Sequence, residues 1–407
     1  MHRFLRKMYP RGALAISEEN FRVMQPVLAC SRAFGLCPVE FKNRGRFFAV
    51  RWSWACQVYS LLAPLALCVF TLVDIAYKRS EEVANEKDEK RRYLSVCDVL
   101  TIVFIVFCCV VTTPVKTKML WKICELFNAV EKELVIKCPK KHRTASILSI
   151  AAVLLTYTIF YLIDLTWNLF YGKINAVFAT PFYLLKYIML NEILFFCHLV
   201  HFVKIRIRYL TKALRAIITR RIFDLSTFRN GEIAMLPPAQ TNNDKINNTA
   251  LRVFDLAKTY RKLHEAVSLL NGGEEITIVV ILFCVMLHLI VSPYFLLTEL
   301  TKNPAERSLS FVGLQFMWVM THAGKFVIIM ETCHYCTSEA EDLFNVAQNL
   351  FAEEKVEKTK KALFIFIQQL KMCKIELKVF GLFKLDRSVL TGFVAVITTY
   401  LVLLLQS

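Results

Sequence analysis

The chain has 407 residues, of which 56% are hydrophobic and 13% aromatic, with only 11 glycines. This composition is too apolar for ordinary soluble domains, and 32 phenylalanines are typical of lipid-facing and bundle-core surfaces. A net charge of +18 would favour a nucleic-acid partner in a soluble protein, but the basic residues here lie between apolar segments and no nucleic-acid-binding motif is present. We therefore expect a membrane protein surrounded by lipid, with no nucleic acid as a partner.

Seven apolar segments are long enough to cross a bilayer as helices. They are approximately Trp54–Tyr77, Tyr93–Val115, Ala145–Leu169, Val177–Val203, Ile276–Leu300, Leu309–Tyr335 and 386–407. The sequence thus predicts an all-α, polytopic membrane protein with four transmembrane helices in 54–203, two in 275–336 and the last in 386–407. Residues 1–53 are basic and lack the apolar core of a signal peptide, so we expect them to form a cytosolic N-terminal segment.

The basic segments between the spans contain further helical patterns. Residues 116–143 continue the second span with an apolar stripe, and 337–385 contain two helical stretches. Residues 204–274 have helical patterns on both sides of a Gly-, Pro- and Asn-rich linker at about 230–248, and Gly272 is expected to end the second pattern. We expect these helices to form a cytosolic bundle that anchors an oligomer, although the same stripes would also serve to pack a single chain.

The distribution of positive charge predicts the orientation of the chain. About 40 of the 51 Lys and Arg residues precede the first span or follow an even-numbered span. Because cytosolic loops carry the excess of Lys and Arg, we expect a cytosolic N-terminus and an extracellular C-terminus. This orientation argues against a G-protein-coupled receptor. A transporter, the other alternative, would be expected to show an internal repeat, which the sequence does not.

Ionisable and aromatic residues occur inside the predicted spans, where a charge is costly to bury unless it is paired. The candidate ligand-binding residues are Asp164, Trp167, Glu192, His288, Gln315, Trp318 and His322. Aromatic faces combined with amide, imidazole and carboxylate groups suit a small polyhydroxylated ligand. The alternative is internal pairing, for example of Lys186 or Lys325 with Glu192 or Glu331.

The last span has a face of small and weakly polar residues. Its members are Ser388, Thr391, Ala395, Thr399, Val402 and Gln406. Such a face either lines an ion path or packs against neighbouring helices, and the residues by themselves leave both open.

No pattern indicates catalysis or a cofactor. The sequence has no Gly-rich phosphate loop, nucleophile elbow or convincing catalytic dyad, so we do not expect an enzyme. Cys333 and Cys336 have a metal-like spacing but no second ligand pair, so no metal site is expected.

The C-terminal stretch resembles the insect gustatory receptor family. That family ends in Thr-Tyr, five apolar residues and Gln-Phe; here Thr399 and Tyr400 are followed by five apolar residues and Gln406. Residues 381–383 and 385–388 also look like family sequence. The sequence departs from the family at Ser407, where the family usually has Phe. A serine side chain is smaller and more polar than phenylalanine at the implied pore constriction.

The resemblance implies a homotetrameric, tastant-gated, non-selective cation channel in the cell membrane of sensory neurons, and it also allows hetero-oligomers with related receptors. Spans three to six would form the ligand pocket and span seven the pore. The implied pore residues are Thr399, Val402, Leu403, Gln406 and Ser407.

Three short motifs look like the fructose-receptor branch of that family. They are Asp164 to Trp167, Gln315-x-x-Trp318, and Cys333-His334 leading to residues 337–340. They imply that a sugar such as fructose is the ligand; a bitter compound or another small tastant is the alternative.

Overall fold

The computed structural model describes residues 14–37, 39–43, 47–82, 89–134, 140–170, 176–229, 242–305 and 307–406. Over this range the helices are α1 Glu18–Ala33, α2 Trp54–Glu82, α3 Glu89–Leu134, α4 Lys140–Phe170, α5 Ala176–Arg229, α6 Asn242–Leu300, α7 Leu309–Glu353, α8 Glu357–Met372 and α9 Arg387–Gln406. Helices α2 to α7 and α9 are long and apolar enough to cross a membrane. The predicted helical class with seven spans is therefore confirmed.

Two small antiparallel sheets accompany the helices and were not predicted. The strands are β1 Leu14–Ser17, β2 Val39–Asn43, β3 Phe47–Trp52, β4 Lys378–Val379 and β5 Phe383–Lys384. The first three pair in the order β1-β3-β2, and β4 pairs with β5. The turn between β4 and β5 has positive φ at Phe380 and Gly381. The expectation of an all-α chain is corrected at these two places. Strands β4 and β5 have two residues each and are too short to show a period, whereas the alternation of apolar and polar residues in β2 was a readable strand signal that was missed.

Four helices extend beyond the membrane region at the same end of the molecule. Helices α3, α5, α6 and α7 contain 46, 54, 59 and 45 residues, far more than the about 20 residues of a span. Their extensions pack with α8 as an extramembrane bundle. In it Tyr260 packs edge-on against Phe366, with ring centroids 6.2 Å apart. The Arg206 guanidinium lies 4.1 Å from the centre of the Phe127 ring and donates a hydrogen bond to Glu131. The apolar stripes are thus buried within one chain.

The β4–β5 hairpin joins this bundle to α9 and is held together by Glu376. Its carboxylate pairs with the ammonium groups of Lys378, at 2.7 Å, and of Lys384. Partial burial by itself raises the pKa of the Glu376 carboxyl, but hydrogen bonds from the two lysines outweigh it and hold that pKa below its usual value. The carboxylate that holds the hairpin is therefore ionised at neutral pH.

Helix α6 is continuous from Asn242 to Leu300, which corrects two expectations. Residues 242–248 belong to a helix rather than to the linker, and Gly272 does not end one. Gly273, the next residue, lies against α3. A Cβ atom there would overlap Met119 Sδ and approach Met119 Cγ to 2.8 Å, so the glycine permits close packing of the two helices.

Replacing Gly273 by alanine is expected to destabilise the receptor, because overpacking a close helix contact typically costs about 1–3 kcal/mol. Gly272→Ala is the matched control: a Cβ atom at Gly272 meets nothing within 4 Å, and alanine gains up to about 1 kcal/mol of helix propensity. The measurement is the melting temperature of each purified variant in detergent. Equal melting temperatures for the two variants would show that Met119 moves aside freely.

Candidate functional site

Four aromatic side chains from three helices form a buried cluster in the membrane region. Tyr161 of α4 is central: its ring centroid lies 5.7 Å from Trp318 of α7, 5.7 Å from Tyr183 of α5 and 6.1 Å from Tyr157. The planes of Tyr161 and Trp318 are within 28° of parallel. Tyr157 and Tyr161 are four residues apart and therefore share one face of α4. We call these four residues the aromatic cluster.

Hydrogen bonds orient the rings of this cluster. The Tyr183 hydroxyl donates a hydrogen bond to Asp164 Oδ2 at 2.8 Å, and the Tyr157 hydroxyl donates one to the backbone carbonyl of Thr321 at 3.1 Å. Both bonds are buried and connect α4 to α5 and α7. Asp164, predicted from the sequence, thus lies directly beside the aromatic cluster.

A cleft of about 580 Å³ opens between α4 and α7 at the end of the membrane region opposite the extramembrane bundle. Its lining residues are Ile163, Thr166, Trp167, Phe170, Ser310, Gly313, Leu314 and Met317. Leu314 also packs with the aromatic cluster, so the base of the cleft adjoins Trp318. This volume lies in the range of small-molecule sites.

Two lysines extend the aromatic cluster toward the middle of the membrane region. Lys186 Nζ lies 3.6 Å from the centre of the Trp318 ring and 4.4 Å from that of Phe182. Lys325 is fully buried, with Nζ 5.4 Å from the centre of the Tyr157 ring. Their ammonium groups are therefore stabilised by aromatic faces.

Glu192 and Glu331, which the sequence suggested as partners for these lysines, pair with other cations. Glu192 Oε2 lies 2.5 Å from Lys116 Nζ, which is also 3.3 Å from Glu274 Oε2. Glu331 accepts two hydrogen bonds from Arg387, both at 2.7 Å. The alternative of internal pairing therefore holds for both glutamates, but with Lys116 and Arg387 instead of the two lysines given as examples. Glu192 lies apart from the aromatic cluster.

Two histidines link the aromatic cluster to α3. The His322 ring lies 5.6 Å from Trp318 and 4.4 Å from His288, between centroids. His288 Nε2 is 2.7 Å from Asp98 Oδ1, and its Nδ1 is 2.6 Å from the backbone oxygen of Cys284. Asp98 was not among the residues predicted from the sequence, although an aspartate inside an apolar span was a readable signal for a buried polar partner.

The structure brings five of the predicted ligand-binding residues together. They are Asp164, Trp167, His288, Trp318 and His322. Gln315 is half-buried, one turn before Trp318, and does not line the cleft. The tyrosines of the aromatic cluster were missed, although their spacing of four on an apolar helix was readable.

Helix α9 packs against the chain by one face only. Val389, Leu390, Phe393 and Ile397 contact the core, and Phe393 stacks on Phe326 with centroids 4.5 Å apart. The small, weakly polar face lies on the opposite side of the helix. The predicted pore residues Thr399, Val402, Leu403 and Gln406 are exposed in the single chain. Ser407 lies outside the described residues.

Residues 24–407 match the family described as 7tm Chemosensory receptor. This chain belongs to that family. The receptor is accordingly a multi-pass membrane protein of sensory neurons, and its predicted kinship with insect chemosensory receptors is confirmed.

Relatives of the receptor include the "Gustatory receptor for sugar taste 43a" of Drosophila melanogaster, 30% identical over 161 residues. That alignment covers 39% of this chain and only 36% of the relative. In fold, the receptor is similar to the insect olfactory receptor OR5 from Machilis hrabei, with a TM-score of 0.66, 13% identity, and 94% and 97% of the two chains covered. The same OR5 in complex with eugenol gives a TM-score of 0.65 at 12% identity, with the same coverage. These two structures establish a shared fold.

Proposed function

We propose that the receptor is a tastant-gated, non-selective cation channel, with a sugar such as fructose as its ligand. The observation that carries this proposal is the cleft with Trp167 in its wall and Trp318 against its base, beside the buried carboxylate of Asp164. Aromatic faces stack on the CH faces of a sugar ring, and a carboxylate accepts hydrogen bonds from its hydroxyl groups. The similarity to a sugar taste receptor, and to an olfactory receptor that binds eugenol, supports a small-molecule site in this fold.

The proposed assembly is a homotetramer with α9 at its axis, and related receptors are alternative partners in hetero-oligomers. Since α9 presents its small, weakly polar face away from its own chain, several copies around an axis would line a path for cations. The positive-charge bias supports a cytosolic extramembrane bundle and an extracellular end for α9. The bundle would then anchor the subunits from the cytosolic side.

Helix α7 offers the route from ligand to pore. It carries Trp318 near the cleft, and further along it contacts α9 through the Phe326–Phe393 stack and the Glu331–Arg387 pair. A ligand that binds more tightly when α7 is in one conformation would shift the population toward that conformation, and the contacts between α7 and α9 would move α9 with it.

Expression of this chain alone in a cell without other taste receptors tests the proposal. We expect fructose, or another compound in a panel of sugars and bitter tastants, to evoke whole-cell cation current that persists under G-protein blockade. No current in cells with confirmed surface expression would contradict channel function. A current abolished by the blockade would instead favour a G-protein-coupled receptor.

Gln406→Ala is expected to alter relative cation permeability or resting leak without changing ligand dose dependence, because an amide at the end of a pore helix contacts permeant ions. Leu405→Ala is the control, since Leu405 is exposed but lies off the weakly polar face. Reversal potentials under two-cation conditions provide the measurement. Identical selectivity and leak in the Gln406 variant would place this residue outside the conduction path.

A further inference from the structure

The cleft has two walls, and each wall is one face of a helix. Four lining residues between Ile163 and Phe170 come from α4, and four between Ser310 and Met317 come from α7. Within each set the residues follow one another at offsets of three, four and seven, which places them on a single helical face. None of the eight residues is ionisable, so the walls suit a neutral ligand.

Gly313 is the lining residue that has no side chain. A Cβ atom placed on it would meet no atom of the surrounding described structure within 4 Å. Gly313 is exposed, whereas the next residue, Leu314, is buried at the base of the cleft, so Gly313 lies at the mouth. The space beside Gly313 is therefore part of the cleft and is empty of protein atoms.

Helix packing does not explain a glycine at this position. At Gly273 a Cβ atom would overlap Met119, so close packing there requires a glycine, but no such contact exists at Gly313. A glycine in a helix interior is less favourable than alanine by about 1 kcal/mol. The gain from having no side chain at Gly313 is thus the open space in the cleft.

We propose that Gly313 is a specificity-determining residue, which keeps the mouth of the cleft wide enough for a sugar ring to stack on Trp167. This inference rests on the proposed function, because it concerns the same cleft, and it adds the feature that limits the size of the ligand. A larger residue at this position would place its side chain where part of the ligand lies.

Gly313→Leu is expected to raise the Kd of fructose at least about tenfold, because a single methylene group more or less in a binding pocket typically changes binding by about 10–200-fold. Gly313→Ala adds one carbon and should give a smaller increase. Both residues favour a helix more than glycine does, so both variants are expected to fold. The measurement is equilibrium binding of fructose to the purified full-length receptor in lipid nanodiscs.

Gly324 provides the matched control on the same helix. A Cβ atom at Gly324 also meets nothing within 4 Å, but Gly324 does not line the cleft. Gly324→Ala and Gly324→Leu should therefore leave the Kd of fructose unchanged. Equal increases at the two positions would assign the effect to the helix and overturn the inference, as would an unchanged Kd in Gly313→Leu or no fructose binding to the wild-type receptor.

Current recordings separate this inference from the channel function. Fructose-evoked current in the wild-type receptor, with an unchanged Kd in Gly313→Leu, would overturn the role of Gly313 and leave the proposed function intact. Fructose binding that is weakened in Gly313→Leu but not in Gly324→Leu, without any ligand-evoked current, would support the role of Gly313 and contradict channel function.

Discussion

Lys116→Met is expected to destabilise the receptor by about 3–5 kcal/mol, which is the typical cost of removing one partner from a buried ion pair. Lys116 lies between two buried carboxylates, 2.5 Å from Glu192 and 3.3 Å from Glu274. The three residues belong to α3, α5 and α6, so their pairing connects three of the long helices. Without the ammonium group, two carboxylates would remain close together in an apolar environment. We expect little folded protein at the cell surface.

Lys118→Met is the matched control, because Lys118 is exposed two residues further along the same helix. The measurement is surface expression together with the melting temperature of the purified receptor. If the two methionine variants behave alike, the buried triad contributes no net stability.

A triple variant distinguishes loss of charge balance from loss of packing. Lys116→Met combined with Glu192→Gln and Glu274→Gln replaces all three charges with neutral side chains, and we expect it to recover most of the lost stability. Glu274→Gln alone is expected to be mild, since it leaves the Lys116–Glu192 pair intact. Failure of the triple variant to recover would assign the defect to packing at Lys116.

Trp318→Ala is expected to raise the half-maximal ligand concentration about tenfold or more, the equivalent of about 1.4 kcal/mol of lost binding free energy. Trp318 stacks on Tyr161, contacts the Lys186 ammonium at 3.6 Å and adjoins the base of the cleft. Alanine would remove the largest aromatic face of the site. Trp318→Phe retains a ring and should lie between alanine and wild type.

Phe316→Ala controls for a lost aromatic side chain on the same helix, because Phe316 is 57% exposed in the membrane region. Dose–response curves are to be compared at equal surface expression. A Trp318→Ala receptor with an unchanged curve would exclude this residue from the ligand site.

More of the fold than of the candidate site could be predicted from the sequence. Hydropathy located the seven spans, and helical periodicity identified the face of α9 that carries Thr399 and Gln406. It also placed Gln315, Trp318 and His322 on one face of α7. Helical periodicity did not reveal that His288 faces Asp98, because those two residues belong to separate spans.

The sequence alone determined the features that can be read from one segment at a time: the number of spans, the bias of Lys and Arg between loops, and the polar stripe of the last span. These follow from the length of an apolar segment and from the period of a helix. Only the tertiary structure decided which faces meet. It paired Lys116 with Glu192 and Glu274 and left Lys186 and Lys325 beside aromatic rings. The physical reason is that the rotation and crossing of helices depend on side-chain packing between segments far apart in the chain, which no local pattern encodes.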